Sequence, residues 1–347
     1  MLPIEDEVGI GRGGLFCAGC RGHAGNGVPG HSVPAHAGGA DRPACYSRGV
    51  VSPPLHYQSH DEDSGRWLGF RYRPGDIVIS TRRRTGTTWL QMICAALIFQ
   101  SPELPAPLWR LSPWLDHTIV PLDEVYTQLA EQPHRRFIKT HTPLDGLPLY
   151  PQVTYIVTAR HPLDMFVSLR HQLDNIDHSR LWQLAGRDAP PGPSESLHDS
   201  LLRWIEDDGD SPAFPESLPR VLWHLTDAWT RRGEPNVLLV HYDDLSADLE
   251  GQMRGIAGRL GIDVPEPAWP ALIRAATFER MRDRADSLVP DAQGTVKDAA
   301  SFFRRGTPGA GREVLSDEEM AGYYARAAQL APPDLLGWLH SPSGLTG

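Results

Sequence analysis

Residues 76–99 constrain the fold more than any other stretch of the chain. Asp76 to Thr81 (DIVIST) is a short apolar run introduced by the turn Arg73-Pro74-Gly75, and it reads as a buried strand. Ser80 to Leu90 (STRRRTGTTWL) then turns through Gly86 into an apolar helix predicted over Thr87 to Phe99. The alternation continues. Arg136 to Lys139, Val153 to Ala159 (VTYIVTA) and Asn236 to His241 (NVLLVH) read as strands. Helices are expected after Pro162, over Leu201 to Asp208, Leu218 to Arg232 and Leu245 to Leu260, the last ending before Gly261. Ser316 and Glu319 form a capping box opening a helix to about Leu330. Strands alternating with helices predict an α/β fold with a parallel sheet covered on both faces.

The turn at Gly86 carries chemistry of its own. Glycine lets a backbone approach a ligand closely, and the first free N–H groups of a helix favour negative charge. Thr85, Thr87 and Thr88 add hydroxyl donors, and Arg84 adds a fork of fixed charge. Their convergence at a strand's C-terminal end points to a bound phosphate. The plain alternative is an ordinary turn with threonine N-caps. No lysine follows Gly86, so this is not a Walker A loop, which counts against an ATP-dependent kinase.

Three further segments carry candidate site residues. In Phe137 to Leu147 (FIKTHTPLDGL), Lys139 and His141 are two apart at a strand end and share a face. A neutral histidine can take a proton from an attacking group while a cation stabilises charge on the group being transferred. A structural histidine is the alternative. Lys139 is one of only two lysines, with Lys297, in a chain whose other basic residues are arginines, a bias that codon composition explains and that leads us to expect a specific use for lysine there. Arg160 leaves a buried strand and Ser168 lies on the following helix; a surface ion pair and an inert helix residue are the alternatives. Phe302 to Arg312 (FFRRGTPGAGR) sets Arg304 and Arg305 before a glycine-rich loop, which suits a dianionic phosphate or a solvated basic loop.

Composition narrows the remaining classes. A formal net charge of −10 argues against nucleic acid as partner. No apolar run reaches the roughly 20 residues of a membrane span, and a secretory pattern is missing at the start, so a cytoplasmic location is expected. Residues 1–50 hold 12 of the 33 glycines and no apolar periodicity, and are expected to be a disordered Gly/Ala/His-rich extension. Cys17 and Cys20, with nearby histidines, lack the second half of a regular zinc spacing, so no metal is expected. Residues 51–347 are expected to be a single domain, with a loop at Ala189 to Glu195.

The motifs together resemble the PAPS-dependent soluble sulfotransferases, where PAPS is 3′-phosphoadenosine-5′-phosphosulfate. Arg83-Arg84-Thr85-Gly86-Thr87-Thr88-Trp89 is similar to the family's PKSGTTW loop, with Arg84 at its lysine; Lys139, His141 and Pro143 fall on KTHxP. Arg160, Asp164 and Ser168 fall on RxxxDxxxS, and Arg304, Arg305, Gly306 and Gly309 on RKGxxGDWK, where Ala310 and Gly311 replace Asp and Trp. Tyr242 resembles the tyrosine of YED, and Thr277-Phe278 the SFxxM segment near the adenine. The resemblance spans Trp67 to Leu339 in family order. It implies a P-loop-like three-layer sandwich and sulfuryl transfer from PAPS to a hydroxyl or amine of a small acceptor, releasing the 3′,5′-bisphosphate PAP. It gives His141 the role of base, Lys139 that of sulfuryl cation and Arg84 that of leaving-phosphate cation. It sets Trp89 on the adenine, with a plain core role as alternative. It assigns Arg160, Ser168, Arg304, Arg305 and Gly306 to the 3′-phosphate. Trp109, Trp114 and Leu115 line an apolar acceptor pocket or belong to the core. The rivals are an ATP-dependent small-molecule kinase and a PAPS- or PAP-binding protein that has lost catalysis. The acceptor's identity and the oligomeric state are not readable.

Overall fold

β1 (Ile77–Thr81) is buried at all five positions, because it has a strand on either side and helices above and below. The computed structural model describes residues 53–59, 61–184, 195–209, 216–289, 294–306 and 308–341. The expected extension at 1–50, with its cysteines, and all but the end of the expected loop at 189–195 lie outside them. Within the described residues β1 joins β2 (Phe137–Thr140), β3 (Thr154–Ala159) and β4 (Val237–His241) in one sheet of order β2-β1-β3-β4. All three pairings are parallel; Ser80 sits beside Thr140, Thr81 beside Thr158 and Ala159 beside His241. The four C-terminal ends therefore open on one side, with the chain's order reversing on either side of β1, the position where α/β sheets hold ligands.

Side chains alternate across each strand and so feed two cores. Ile77, Ile79, Phe137, Ile156 and Val240 pack with Leu90, Ile93 and Leu97 of the Thr87–Phe99 helix and with Met253 and Ile256 of the Leu249–Leu260 helix. Val78, Ile138, Tyr155 and Val157 pack on the other face with Phe166, Leu222 and Tyr323, from the helices Pro162–Asp174, Leu218–Thr230 and Asp317–Leu330. This is the expected three-layer sandwich. At the sheet's opposite end the Arg136 Nε donates to Asp76 at 2.9 Å, and both groups are buried. Removing one partner of such a pair costs about 3–5 kcal/mol, because the other charge stays buried alone.

The predicted capping box at Ser316 and Glu319 is present. The helix expected over 245–260 is instead two, Tyr242–Ala247 and Leu249–Leu260. Asp248 separates them because its extended backbone ends the first, while its carboxylate accepts from Gly251 N–H and caps the second. The helix expected from Leu201 begins earlier, at Leu197, where Ser196 caps it through the N–H of Asp199.

Candidate active site at the strand ends

Each strand end contributes one part of the site. Gly86 ends the turn after β1 with φ 115°, a left-handed conformation that favours glycine, and an added Cβ would lie 3.1 Å from the Tyr242 ring. Thr87 and Thr88 then open the helix whose start faces a pocket of about 230 Å³. Arg84, Trp89, Arg160, Ser168, Tyr242, Phe278, Arg304, Arg305 and Gly306 line this same pocket. Sequence segments from 84 to 306 thus meet in one place.

The pocket's aromatic end is pinned by hydrogen bonds and ring contacts. Trp89 Nε1 donates to the Ala276 carbonyl at 2.8 Å, and its ring meets Tyr242 edge-on at 5.2 Å. Arg160, only 7% exposed, stacks on Tyr242 at 4.2 Å and donates to the Arg84 carbonyl at 3.0 Å. Its Nε is buried without a hydrogen-bond partner among the described residues, a costly arrangement that a bound anion relieves. Arg304 and Arg305 are exposed, and Arg305 forks onto Glu313 at 2.6 and 2.7 Å. Asp164 holds the glycine-rich loop down by accepting from the N–H groups of Gly309 at 2.7 Å and Gly311 at 2.6 Å.

At the other end of the pocket lie Lys139 and His141. The His141 Nδ1 donates to the Thr81 carbonyl at 2.5 Å, which fixes the tautomer and leaves the Nε2 lone pair free. Burial, then the charges of Lys139 and Arg83, keep the imidazole pKa well below 6.5, so it is neutral at pH 7. Burial and the Arg83 charge push Lys139 down to about 8. Trp114 touches both: Lys139 Nζ lies 4.0 Å from its ring centroid and His141 meets it edge-on at 4.7 Å. It is carried there by residues 113–115, which pair with the free edge of β2: Lys139 N–H donates to Pro113 at 2.9 Å and Leu115 N–H to Lys139 at 3.3 Å. Beneath, the buried Asp116 accepts from Trp67 Nε1 at 3.0 Å and Thr142 Oγ1 at 2.7 Å, and from Thr140.

Trp114 and Lys139 are shared walls. A second cavity of about 640 Å³ continues beyond them, lined by Trp109, Leu111, Ile119, Val120 and Leu288 among others, with Arg110, Glu124, Gln128, Gln132 and His117 among its polar groups. His117 stacks on Trp114 at 4.1 Å with rings nearly parallel. Leu115 is fully buried in the core and lines neither cavity.

Not every expected residue reaches the pocket. Thr85 turns inward, donating to the Arg82 carbonyl at 2.7 Å and meeting Thr158 Oγ1 at 3.0 Å. Thr277 is spent on capping: its hydroxyl donates to Arg274 and accepts from Arg280 N–H, while Phe278 faces the pocket. Arg84 does line the pocket, with a left-handed backbone (φ 67°); its Nε donates to Ser168 at 3.0 Å and Nη2 to the Phe302 carbonyl at 2.7 Å. Arg83, Asp116, His117 and Glu216, which lie against this site or its supports, are not among the site residues that the sequence motifs mark. The run of three arginines held the signal for the first; for the others nothing local distinguishes them from ordinary polar residues.

Comparison with known proteins shows the family. Residues 74–329 match the family model of the Sulfotransferase domain. A glycolipid sulfotransferase of Mycobacterium bovis is 40% identical over 82% of this chain and 93% of its own length. Rat sulfotransferase 1A1 is 25% identical over 76% of this chain and 88% of its own length. Among solved structures, mouse sulfotransferase SULT7A1 complexed with PAP is similar with a TM-score of 0.61 and 19% identity, covering 82% of this chain and 99% of that one. A retinol dehydratase complexed with androsterone and PAP has a TM-score of 0.58 and 21% identity, covering 78% and 86%. The fold, the strand-end pocket and a family match across most of the chain converge: this chain belongs to the sulfotransferase family and is a PAPS-dependent sulfotransferase.

Proposed function

We propose that the enzyme sulfates a hydroxyl or amine of an amphiphilic acceptor with an apolar body, a glycolipid being the leading case. The observation that carries this reading is the junction at Trp114. Lys139 and His141 both touch that ring, and it stands between an arginine-lined pocket and a larger cavity with mostly apolar walls. The glycolipid activity of the 40% identical relative supports the acceptor class. The domain is read as residues 51–347, and the site of action as the cytoplasm.

In this reading the adenine lies between Trp89 and Phe278. The 3′-phosphate meets Arg160, Ser168, Arg304 and Arg305 near Gly306, and Arg305 exchanges Glu313 for it. The 5′-phosphosulfate lies against the helix start at Gly86, Thr87 and Thr88. The acceptor enters from the other cavity. His141 Nε2 takes the proton of the acceptor group as its oxygen or nitrogen forms a bond to sulfur. The bond from sulfur to the 5′-phosphate oxygen breaks, its electron pair leaves with PAP, and Lys139 stabilises charge on the sulfuryl oxygens. Stacked aromatic walls exclude water, which strengthens these interactions.

Thermal unfolding with PAP, with adenosine 5′-phosphate and with ATP plus magnesium tests the nucleotide half. PAP at about 100 times its Kd adds roughly 2.7 kcal/mol of stability without metal. Incubation of a glycolipid panel with radiolabelled PAPS tests the acceptor half. Stabilisation only by ATP and magnesium would overturn the nucleotide reading, and sulfation confined to small polar acceptors the acceptor reading.

A further inference from the structure

Two adjacent arginines occupy the turn after β1, and they go in opposite directions. Arg84 runs towards the 3′ end of the pocket: it bonds Ser168 and the Phe302 carbonyl, and its guanidinium carbon lies 4.2 Å from the centre of the Phe302 ring. Arg83 runs towards the transfer centre. Its guanidinium carbon is 5.3 Å from the centroid of Trp114, the ring that Lys139 and His141 also touch. Arg83 also lines the nucleotide pocket.

Arg83 is held there by three carboxylates from two distant parts of the chain. Its Nη2 donates to Asp61 at 2.5 Å and Glu62 at 2.9 Å, and its Nε lies 3.4 Å from Glu216. Glu216 also accepts from Arg82 Nε at 2.7 Å. The segment carrying Asp61 and Glu62 is itself fixed, since Glu62 pairs with His117 and Asp63 N–H donates to the Asp116 carbonyl at 2.9 Å. Burial opposes the Arg83 charge, but the carboxylates of Asp61, Glu216 and Glu62 outweigh it and hold its pKa up. The contacts use Nε and Nη2. A planar fork gripped on those nitrogens presents Nη1 in a set direction.

We infer that Arg83, and not Arg84, is the cation that faces the sulfur-bridging oxygen of the leaving phosphate, while Arg84 serves the 3′-phosphate side. This rests on the nucleotide placement proposed above. As the sulfur–oxygen bond breaks, the electron pair passes to the phosphate oxygen, and Arg83 donates a hydrogen bond to it without giving up a proton. Asp61, Glu62 and Glu216 are positioning residues that act through Arg83.

Four variants separate the two arginines when kcat and KM for PAPS are measured beside the Kd of PAP. Arg83→Ala lowers kcat by about 10²-fold, the usual size for losing one donor to a developing oxyanion, and by more than it weakens PAP. Arg83→Lys keeps a cation but not the fork that presents Nη1, so it recovers only part of the kcat loss, whereas an ion pair that serves structure alone would leave kcat unchanged once lysine restores it. Arg84→Ala weakens PAP by more than it lowers kcat, and weakens adenosine 5′-phosphate less than PAP; Arg84→Lys restores part of the affinity. If Arg83→Ala does not fold, the pair Asp61→Asn and Glu62→Gln keeps the cation but frees it, and kcat falls while the Kd of PAP holds. A kcat loss confined to the Arg84 variants would overturn the inference. Wild-type enzyme that neither binds PAP nor turns over PAPS would instead overturn the nucleotide placement beneath it.

Discussion

The two ends of the nucleotide pocket are built differently. The transfer end is made by neighbouring strands: His141 follows β2 and is hydrogen-bonded to the last residue of β1, and the pair is walled by Trp114 from the segment beside β2. Its titratable groups are shielded, and burial sets their protonation: His141 neutral, Lys139 near 8. The end proposed for the 3′-phosphate is assembled from β3, the helix after it and a loop more than a hundred residues later, and its outer arginines stand in solvent. There the charge is permanent, and Arg305 is already partnered by Glu313. Losses at the transfer end should therefore appear in the rate, and losses at the 3′ end in affinity.

The largest expected effect tests the transfer end. His141→Ala lowers kcat by about 10³-fold, within the range for a general base, while PAP affinity measured by calorimetry changes little. A variant with near-normal turnover would remove His141 from the chemistry. Next comes the 3′ end. Arg160→Ala weakens PAP by about 10–100-fold, the size of one or two charge-assisted hydrogen bonds, and weakens adenosine 5′-phosphate much less. Equal losses for the two ligands would mean that Arg160 serves the pocket as a whole, and the division between its ends would collapse.

What the sequence alone makes legible follows the same division. DIVIST, VTYIVTA and NVLLVH were legible as strands because strands buried on both faces are continuous apolar runs. Lys139 and His141 were legible as a pair because strand geometry puts alternate residues on one face. The directions of Arg83 and Arg84 were not, since a single left-handed residue at 84 decides them and its sequence is compatible with several turns. Thr277 was legible as part of a motif but not as a helix cap, because capping depends on where the helix starts. Asp116, Glu62 and Glu216 escaped because their partners are far along the chain, and only the folded topology brings them together.

The glycine-rich loop gives a smaller effect, on stability. Gly311 stands where the family pattern has tryptophan, and it backs onto the helix start at Leu163. A Cβ there would lie 2.3 Å from the Leu163 Cβ and 2.7 Å from its carbonyl carbon. Backbone cannot yield as a flexible side chain does, so Gly311→Ala should cost about 1–3 kcal/mol of stability, the usual range for overpacking. Calorimetric unfolding without ligand reads this directly. An unchanged melting temperature would mean that the loop shifts freely, and that Asp164 does not hold it to the helix.

The smallest effect is in pH dependence, and its sign follows from the two shifts. His141, held well below 6.5, already has its Nε2 lone pair available through the neutral range, so no acid limb from this group is expected between pH 6.5 and 7.5. Lys139 titrates near 8 in the free enzyme, and it is the charged form, present below that value, that stabilises the sulfuryl group. kcat/KM should therefore fall to about half at pH 8 and by about tenfold by pH 9, because kcat/KM reports the free enzyme. A bound PAPS anion favours the ammonium form, so the limb in kcat lies at higher pH than the limb in kcat/KM. Lys139→Arg sharpens the assignment: guanidinium does not titrate here, so the limb should vanish even if the rate drops. Persistence of the same limb in that variant would assign it to another group and leave the transfer end no more pH-sensitive than the 3′ end.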